Sequence, residues 1–214
     1  MTHREKAEHL LHQQYHCSQA IFGAFAEDFG LDLKTAFKIS TCFGGGMRQG
    51  GTCGCITASL LVLGMAIGFY NSQDRELEVY GNKKTDEFIR LFTERMNGMI
   101  NCRDILGKDI SKPEEMAIIR KEGLILQKCP KAMSISIEIL EKMLAEHLKY
   151  ITESTIDLED IAENAEMRSM LKNITELHHF RRNVNQLLFS SKKEIGFIQF
   201  DIRKFKIVND IYGE

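Results

Sequence analysis

The sequence predicts a mainly α-helical protein: a cysteine-rich helical bundle, then a long connector helix, then the first strand and helix start of an incomplete α/β domain. Three observations predict it. Apolar residues recur at helical spacing through most of the first 150 residues, and cap and stop signals bracket the periodic segments. Only one segment, "EIGFIQFDI" near the C-terminus, alternates strongly with period two. With just two prolines, no tryptophan and ten methionines in 214 residues, the chain has few helix breakers and an adaptable core.

Taken in order, Ala7, Leu10 and Leu11 share one face of a helix over residues 3–13. A second helix over 18–29 carries Ala20, Ile21, Ala24 and Phe25, with Gly30 as its stop. Asp32 is placed to cap a third, over 33–41. The stretch "CFGGGMRQGGTCGC" follows, with three of the six cysteines and six of the sixteen glycines in fourteen residues. An apolar helix runs from Gly54 to about Phe69; Cys55 to Tyr70 is short of the roughly 20 residues a spanning helix needs, so a buried core helix is expected. Residues 75–99 form a long helix with Val79, Phe88, Leu91, Phe92 and Met96 inward. "NCRDILG" reads as a short helix from Asn101 to Gly107, and Ser111 with Pro113, Glu114 and Glu115 opens the next. Cys129-Pro130 is expected to open the last helix of the bundle, reaching about Tyr150.

Composition changes after Tyr150. Residues 151–180 are polar, lack Gly and Pro, and space Ile156, Leu158, Ile161, Ala165, Met170, Leu171, Ile174 and Leu177 as a connector helix would. Arg168 breaks the register. The expected organisation is a helical domain over 1–150, a connector over 151–180 and an incomplete domain over 181–214.

A net charge of −2 gives no basic face for nucleic acid and no support for a membrane-surface role. The charged N-terminus does not resemble a signal peptide, which points to the cytoplasm. Six cysteines in such a compartment call for chemistry rather than a disulfide framework.

Four of them share a predicted setting. Cys17, Cys53, Cys102 and Cys129 each fall at an expected helix N-terminus, where unsatisfied N–H groups and the dipole favour a thiolate. Arg103, Lys128 and Lys131 would add to this if they point inward. Reactive thiols, a reversible disulfide, or thiolate ligands for a transition metal or iron–sulfur cluster all fit. Cys53 and Cys55 make a CxC pair with no second pair at matching spacing, so a closed zinc site has little support. His16 beside Cys17 is a candidate base or ligand, though a surface or capping role is the commoner fate. The glycine loop is neither a P-loop, since no Lys-Ser/Thr follows it, nor a dinucleotide fingerprint, since no strand precedes it. It reads as a tight loop that lets helices and cysteines crowd together.

"YHCSQAIFGAF", "STCFGGGMRQGGTCGCITASLLVLG", "NCRDILG" and "KCPKAMSISIEIL" together resemble the C-GCAxxG-C-C family of redox-active proteins, over about residues 3–148. The resemblance implies that Cys17, Cys53, Cys102 and Cys129 are the hallmark cysteines. The sequence departs at "CGCITAS", with Cys55 at the alanine position and Ser59 at the last glycine; Cys42 is also extra. Cys55 and Cys42 are therefore auxiliary candidates.

"FIQFDIRKFKIVNDIYGE" is similar to the first strand and following helix of a GGDEF diguanylate cyclase domain, and "NITELHHFRR" is a weak echo of its entry motif. The resemblance implies magnesium at Asp201 and the Ile202 carbonyl, and nucleotide contacts at Phe205, Lys206 and Asn209. Arg203 replaces the usual second aspartate. The GGDEF motif itself is not reached by Glu214, so Mg/GTP chemistry is expected only of a complete domain. The expectation is a cysteine-based redox, metal or cluster sensor regulating a cyclase output, as a homodimer. The alternatives are a thiol oxidoreductase working with a redox partner protein, and a metal- or cluster-binding module.

Overall fold

The structure is a computed structural model that describes residues 1–154, 197–201 and 206–210. The chain divides into two compact units, Met1–Leu144 and Ala145–Glu214. The first is helical: α1 (His3–His12), α2 (Cys17–Phe25), α3 (Leu33–Ser40), α4 (Gly54–Ile67), α5 (Arg75–Arg95), α6 (Cys102–Leu106) and α7 (Pro113–Glu122), followed by α8 (Leu124–Ser154), which runs past its boundary. No helix among the described residues is long and apolar enough to cross a membrane.

α2 is the central post. Its sequence has no charged residue, eight of its nine residues are buried, and α1, α3 and α4 all pack on it. α1 starts at a capping box in which Thr2 Oγ1 accepts from the Glu5 N–H and the Glu5 carboxylate accepts from the Thr2 N–H. Asp32 caps α3 as expected, accepting from the Thr35 N–H at 3.0 Å. α4 is nearly uniform in its apolarity, and Phe88 and Phe92 of α5 are fully buried in the same core.

Three local expectations are corrected. The cap of α7 is Lys112, because the Ser111 hydroxyl is engaged with Asp109 at 2.7 Å. α5 ends at Arg95, where Asn97 and Gly98 turn left-handed. Most consequentially, Cys129-Pro130 does not open a helix. α8 starts at Leu124, directly after the left-handed Gly123, and Pro130 lies inside it. The proline leaves the Leu126 carbonyl without its usual donor. Burial of Cys129, Ala132, Met133, Ile137, Leu140 and Met143 along one side holds the helix through that missing rung.

In the second unit, β1 (Phe197–Asp201) is the expected strand. The helix start expected after it is instead β2 (Lys206–Asp210), paired antiparallel with β1. β-branched Ile207 and Val208 suit that strand. Asp201 faces Lys206 across the register, and Asn209 faces Ile198. Ile202 and Phe205 lie outside the described residues, as does the connector beyond Ser154.

Candidate functional site

The glycine loop between α3 and α4 has an unusual backbone. Gly45, Gly46, Met47 and Arg48 have φ values of 64°, 58°, 56° and 62°, four successive left-handed residues. A left-handed turn costs an L-residue about 1–2 kcal/mol, and here two of the four carry side chains. The turn therefore persists only because its surroundings hold it.

The surroundings are the segment leading into α6. Thr52 bridges Asn101 as an isolated antiparallel pair. On either side the Cys53 N–H donates to the Ile100 carbonyl at 2.8 Å and the Cys102 N–H donates to the Gly51 carbonyl at 2.7 Å. This stitch sets Cys53 and Cys102 on adjacent strands of chain. Arg103 adds a clamp: Nε donates to the Gly50 carbonyl at 3.0 Å, an NH2 group donates to the Gln49 carbonyl at 2.6 Å, and NH1 sits 3.2 Å from Asp109 Oδ2.

The loop delivers α4 onto α2, N-terminus to N-terminus. Cys17 is the first residue of α2 and Cys53 the N-cap of α4. Gly54 makes the approach possible, since a Cβ there would stand 2.7 Å from Cys17 Sγ and 3.1 Å from the Phe43 carbonyl. "CGC" is thus a spacing device as well as a pair of thiols.

Five cysteines converge, all buried and all unbridged: Cys17, Cys53, Cys55, Cys102 and Cys129. The sulfurs of Cys17, Cys53 and Cys55 form a mutual hydrogen-bonded group. Cys17 is held well below the usual thiol range by the thiols of Cys53 and Cys55, with the N–H groups of Gly45 and Ser18 also donating to its sulfur. Cys53 is pushed well above that range, first because it serves as donor to Cys17. Cys55 follows for the same reason, donating to Cys17 and Cys53. Cys17 is therefore the most acidic thiol of the group.

The remaining two thiols are shifted the opposite way. Burial pushes Cys102 up to about 12, with the charge of Cys17 and then Asp109 adding to it. Burial also pushes Cys129 up, and Cys17 again adds. The expectation that four helix N-termini each favour a thiolate is corrected on two grounds. Cys129 sits one and a half turns inside α8; at Cys53 the hydrogen bond it gives Cys17 outweighs the dipole, and at Cys102 the loss of water does. Arg103 points to the loop carbonyls rather than to Cys102, and Lys128 and Lys131 face solvent.

Cys42 is exposed, in the short turn Thr41–Phe43, outside the cluster. His16 is also exposed; its Nδ1 donates to the Thr41 carbonyl at 3.1 Å, tying α2 to the end of α3. A groove of about 500 Å³ lined by Arg4, Arg95, Pro130, Lys131, Ser134 and Ile135 touches none of the cysteines. Among the described residues, no group of three or more His, Cys, Asp or Glu side chains is arranged to hold a metal ion. What the site can do by itself is thiol chemistry: a thiol of lowered pKa lies against two of raised pKa, an arrangement suited to disulfide exchange. Sequence reasoning missed the Gly45 and Ser18 N–H donors, because backbone donors leave no residue-type signal. It also missed the spacing role of Gly54.

No curated protein and no solved structure matches the chain. A family model described as "Putative redox-active protein (C_GCAxxG_C_C)" matches residues 15–143, more than half of the chain. The matched span contains all five clustered cysteines and the loop that assembles them, and the chain belongs to the C_GCAxxG_C_C family.

Proposed function

We propose that this chain is a thiol redox protein in which Cys17 is the attacking thiolate and Cys53 the thiol that completes the disulfide. The observation that carries the reading is the hydrogen-bonded group of Cys17, Cys53 and Cys55, with the charge on Cys17. The acceptor is a small disulfide, since the thiols are buried and Cys17 is 9% exposed. The Cys17 thiolate attacks one acceptor sulfur; the new bond is a mixed disulfide, and one acceptor thiolate leaves. That leaving thiolate takes the Cys53 proton. Cys53 then attacks the Cys17 sulfur and expels the second acceptor thiolate. Two electrons pass from the protein to the acceptor, which leaves as one thiol and one thiolate. Cys53 suits the second role because it ends the loop, whereas Cys55 is fully buried inside α4.

Intact mass and peptide mapping after treatment of the reduced, oxygen-free protein with oxidised glutathione test this. The expected product has lost two hydrogens and yields a Cys17–Cys53 cross-linked peptide, and Cys17→Ser yields none. A protein that stays fully reduced, or links other cysteines while Cys17 stays free, contradicts it.

Coupling of this chemistry to a GGDEF output, and the homodimer that goes with it, rests on the resemblance of about residues 172–214 alone. The family match ends at residue 143. The thiol reading does not depend on that coupling.

A further inference from the structure

His3, the first residue of α1, has a carboxylate on each ring nitrogen. Nε2 lies 2.7 Å from Asp28 Oδ2 in the Ala26–Phe29 turn, and Nδ1 lies 2.8 Å from Glu141 Oε1 on α8. The ring is stacked on Phe25, with centroids 4.0 Å apart and planes within 8° of parallel. An ionised carboxylate only accepts, so each contact needs an N–H on its own nitrogen. A neutral imidazole has one N–H, and its other nitrogen would set a lone pair against an oxygen. Both contacts therefore hold together only while His3 is an imidazolium.

The two contacts are not equally easy to give up. The Asp28 side chain is 22% exposed and that of Glu141 47%. Water reaches Glu141 and replaces its partner at little cost. Asp28 and Phe25 belong to one run of chain, so the neighbours that fix the stacked ring also keep the Nε2 contact. The proton that leaves first is therefore the one on Nδ1. The surrounding charges are engaged elsewhere: on α1, Lys6 pairs with Glu27 of the turn and Arg4 with Glu8, each at 2.9 Å. From α8 come Glu138, held by Arg95, Glu141 itself and Lys142. α2 contributes only the Phe25 ring. Burial works against the charge on His3, and Asp28 and Glu141 together overcome it.

We propose that His3 is a pH-sensitive latch between α1 and α8: with both ring nitrogens protonated it bridges Asp28 and Glu141, and on losing the Nδ1 proton to solvent it keeps Asp28 and releases Glu141. α8 carries Cys129 and runs past Leu144, where the first unit ends, so the latch ties down this helix close to that boundary. Leu140 and Met143, buried on the same stretch, keep α8 packed when the latch is open. The device thus changes one contact and not the fold. It does not depend on the thiol chemistry.

The test uses the full chain in its reduced form. Nitrogen-15 shifts of the His3 ring, followed between about pH 5 and 9, report the state of each nitrogen. The expected result is a doubly protonated ring that persists above about 6.5, the ordinary midpoint, and a neutral form that keeps its proton on Nε2. A double-mutant cycle of His3→Gln with Glu141→Gln, read by urea unfolding, should show roughly fivefold coupling in the folding equilibrium on the acid side of the measured midpoint and none on the alkaline side. The matching cycle with Asp28→Asn should keep its coupling on both sides, because the neutral ring still donates to Asp28. A ring that is neutral at mildly acidic pH overturns the latch, as does a neutral form protonated on Nδ1. Glu141 coupling that does not change with pH also overturns it. The ring shifts of the unmutated protein decide the first two outcomes even where a variant does not fold.

Discussion

At the scale of single residues, two atoms decide the site: the Cys17 sulfur and the missing Cβ of Gly54. Gly54→Ala would gain about 1 kcal/mol of helix propensity on an ordinary helix. Here it must push aside Cys17 Sγ and the Phe43 carbonyl, with no flexible chain end to yield at the latter. The expected outcome is a net loss of about 1–3 kcal/mol in urea unfolding, with redistribution of charge among the thiols. A stabilised variant would mean the helix ends are further apart than described. Cys17, Cys53, Cys102 and Cys129 could be singled out from the sequence as candidates, and all four lie buried in the core. The identity of the thiolate could not. It depends first on how the Cys53 and Cys55 thiols meet the Cys17 sulfur, then on burial and two backbone N–H donors, and none of these is a property of residue type.

At the scale of elements, α8 and its contact with α1 are informative. Pro130→Ala restores the donor to the Leu126 carbonyl and should stabilise the protein by about 1–3 kcal/mol, read as a higher urea midpoint with an unchanged slope. No change would mean that the carbonyl is otherwise satisfied. His3 joins three elements, with Nε2 at 2.7 Å from Asp28, Nδ1 at 2.8 Å from Glu141 of α8, and its ring stacked on Phe25 at 4.0 Å. Burial works to lower its pKa, but the two carboxylates win and raise it above the ordinary value. A raised folded-state pKa gives stability that is complete below about 6.5 and is lost as pH rises through the shifted value. His3→Gln should therefore lower the melting temperature more at mildly acidic than at mildly alkaline pH. Equal losses would contradict the charged bridge. The helices themselves were legible because their faces and caps are local. The true start of α8 was not, because a preferred first-turn proline also fits inside a helix whose buried face holds it.

For the whole helical unit, the thiols link stability to pH from both sides. Cys17 is depressed, so its contribution is present above about 8.5 and fades as pH falls through its folded-state value. Cys102 is raised, so its contribution is complete below about 8.5 and fades as pH rises toward about 12. The stability difference between wild type and Cys17→Ser should shrink on acidification, and that between wild type and Cys102→Ser on alkalinisation. Thermal melts across that range would show it; parallel curves would contradict it. The mainly helical class was evident from periodicity alone. The C-terminal hairpin was half seen: alternation marked β1, whereas resemblance assigned a helix to residues that form β2.

The central claim is that one buried thiolate, Cys17, sits among four protonated thiols. Its most direct test is a site-resolved titration of the reduced protein by the Cβ shifts of carbon-13-labelled cysteine, assigned with single Cys→Ser variants. The prediction is that Cys17 ionises well below the range of a free thiol, while Cys53, Cys55, Cys102 and Cys129 stay protonated until strongly alkaline pH. Cys53 ionising before Cys17, or Cys17 titrating as a free thiol does, would contradict it.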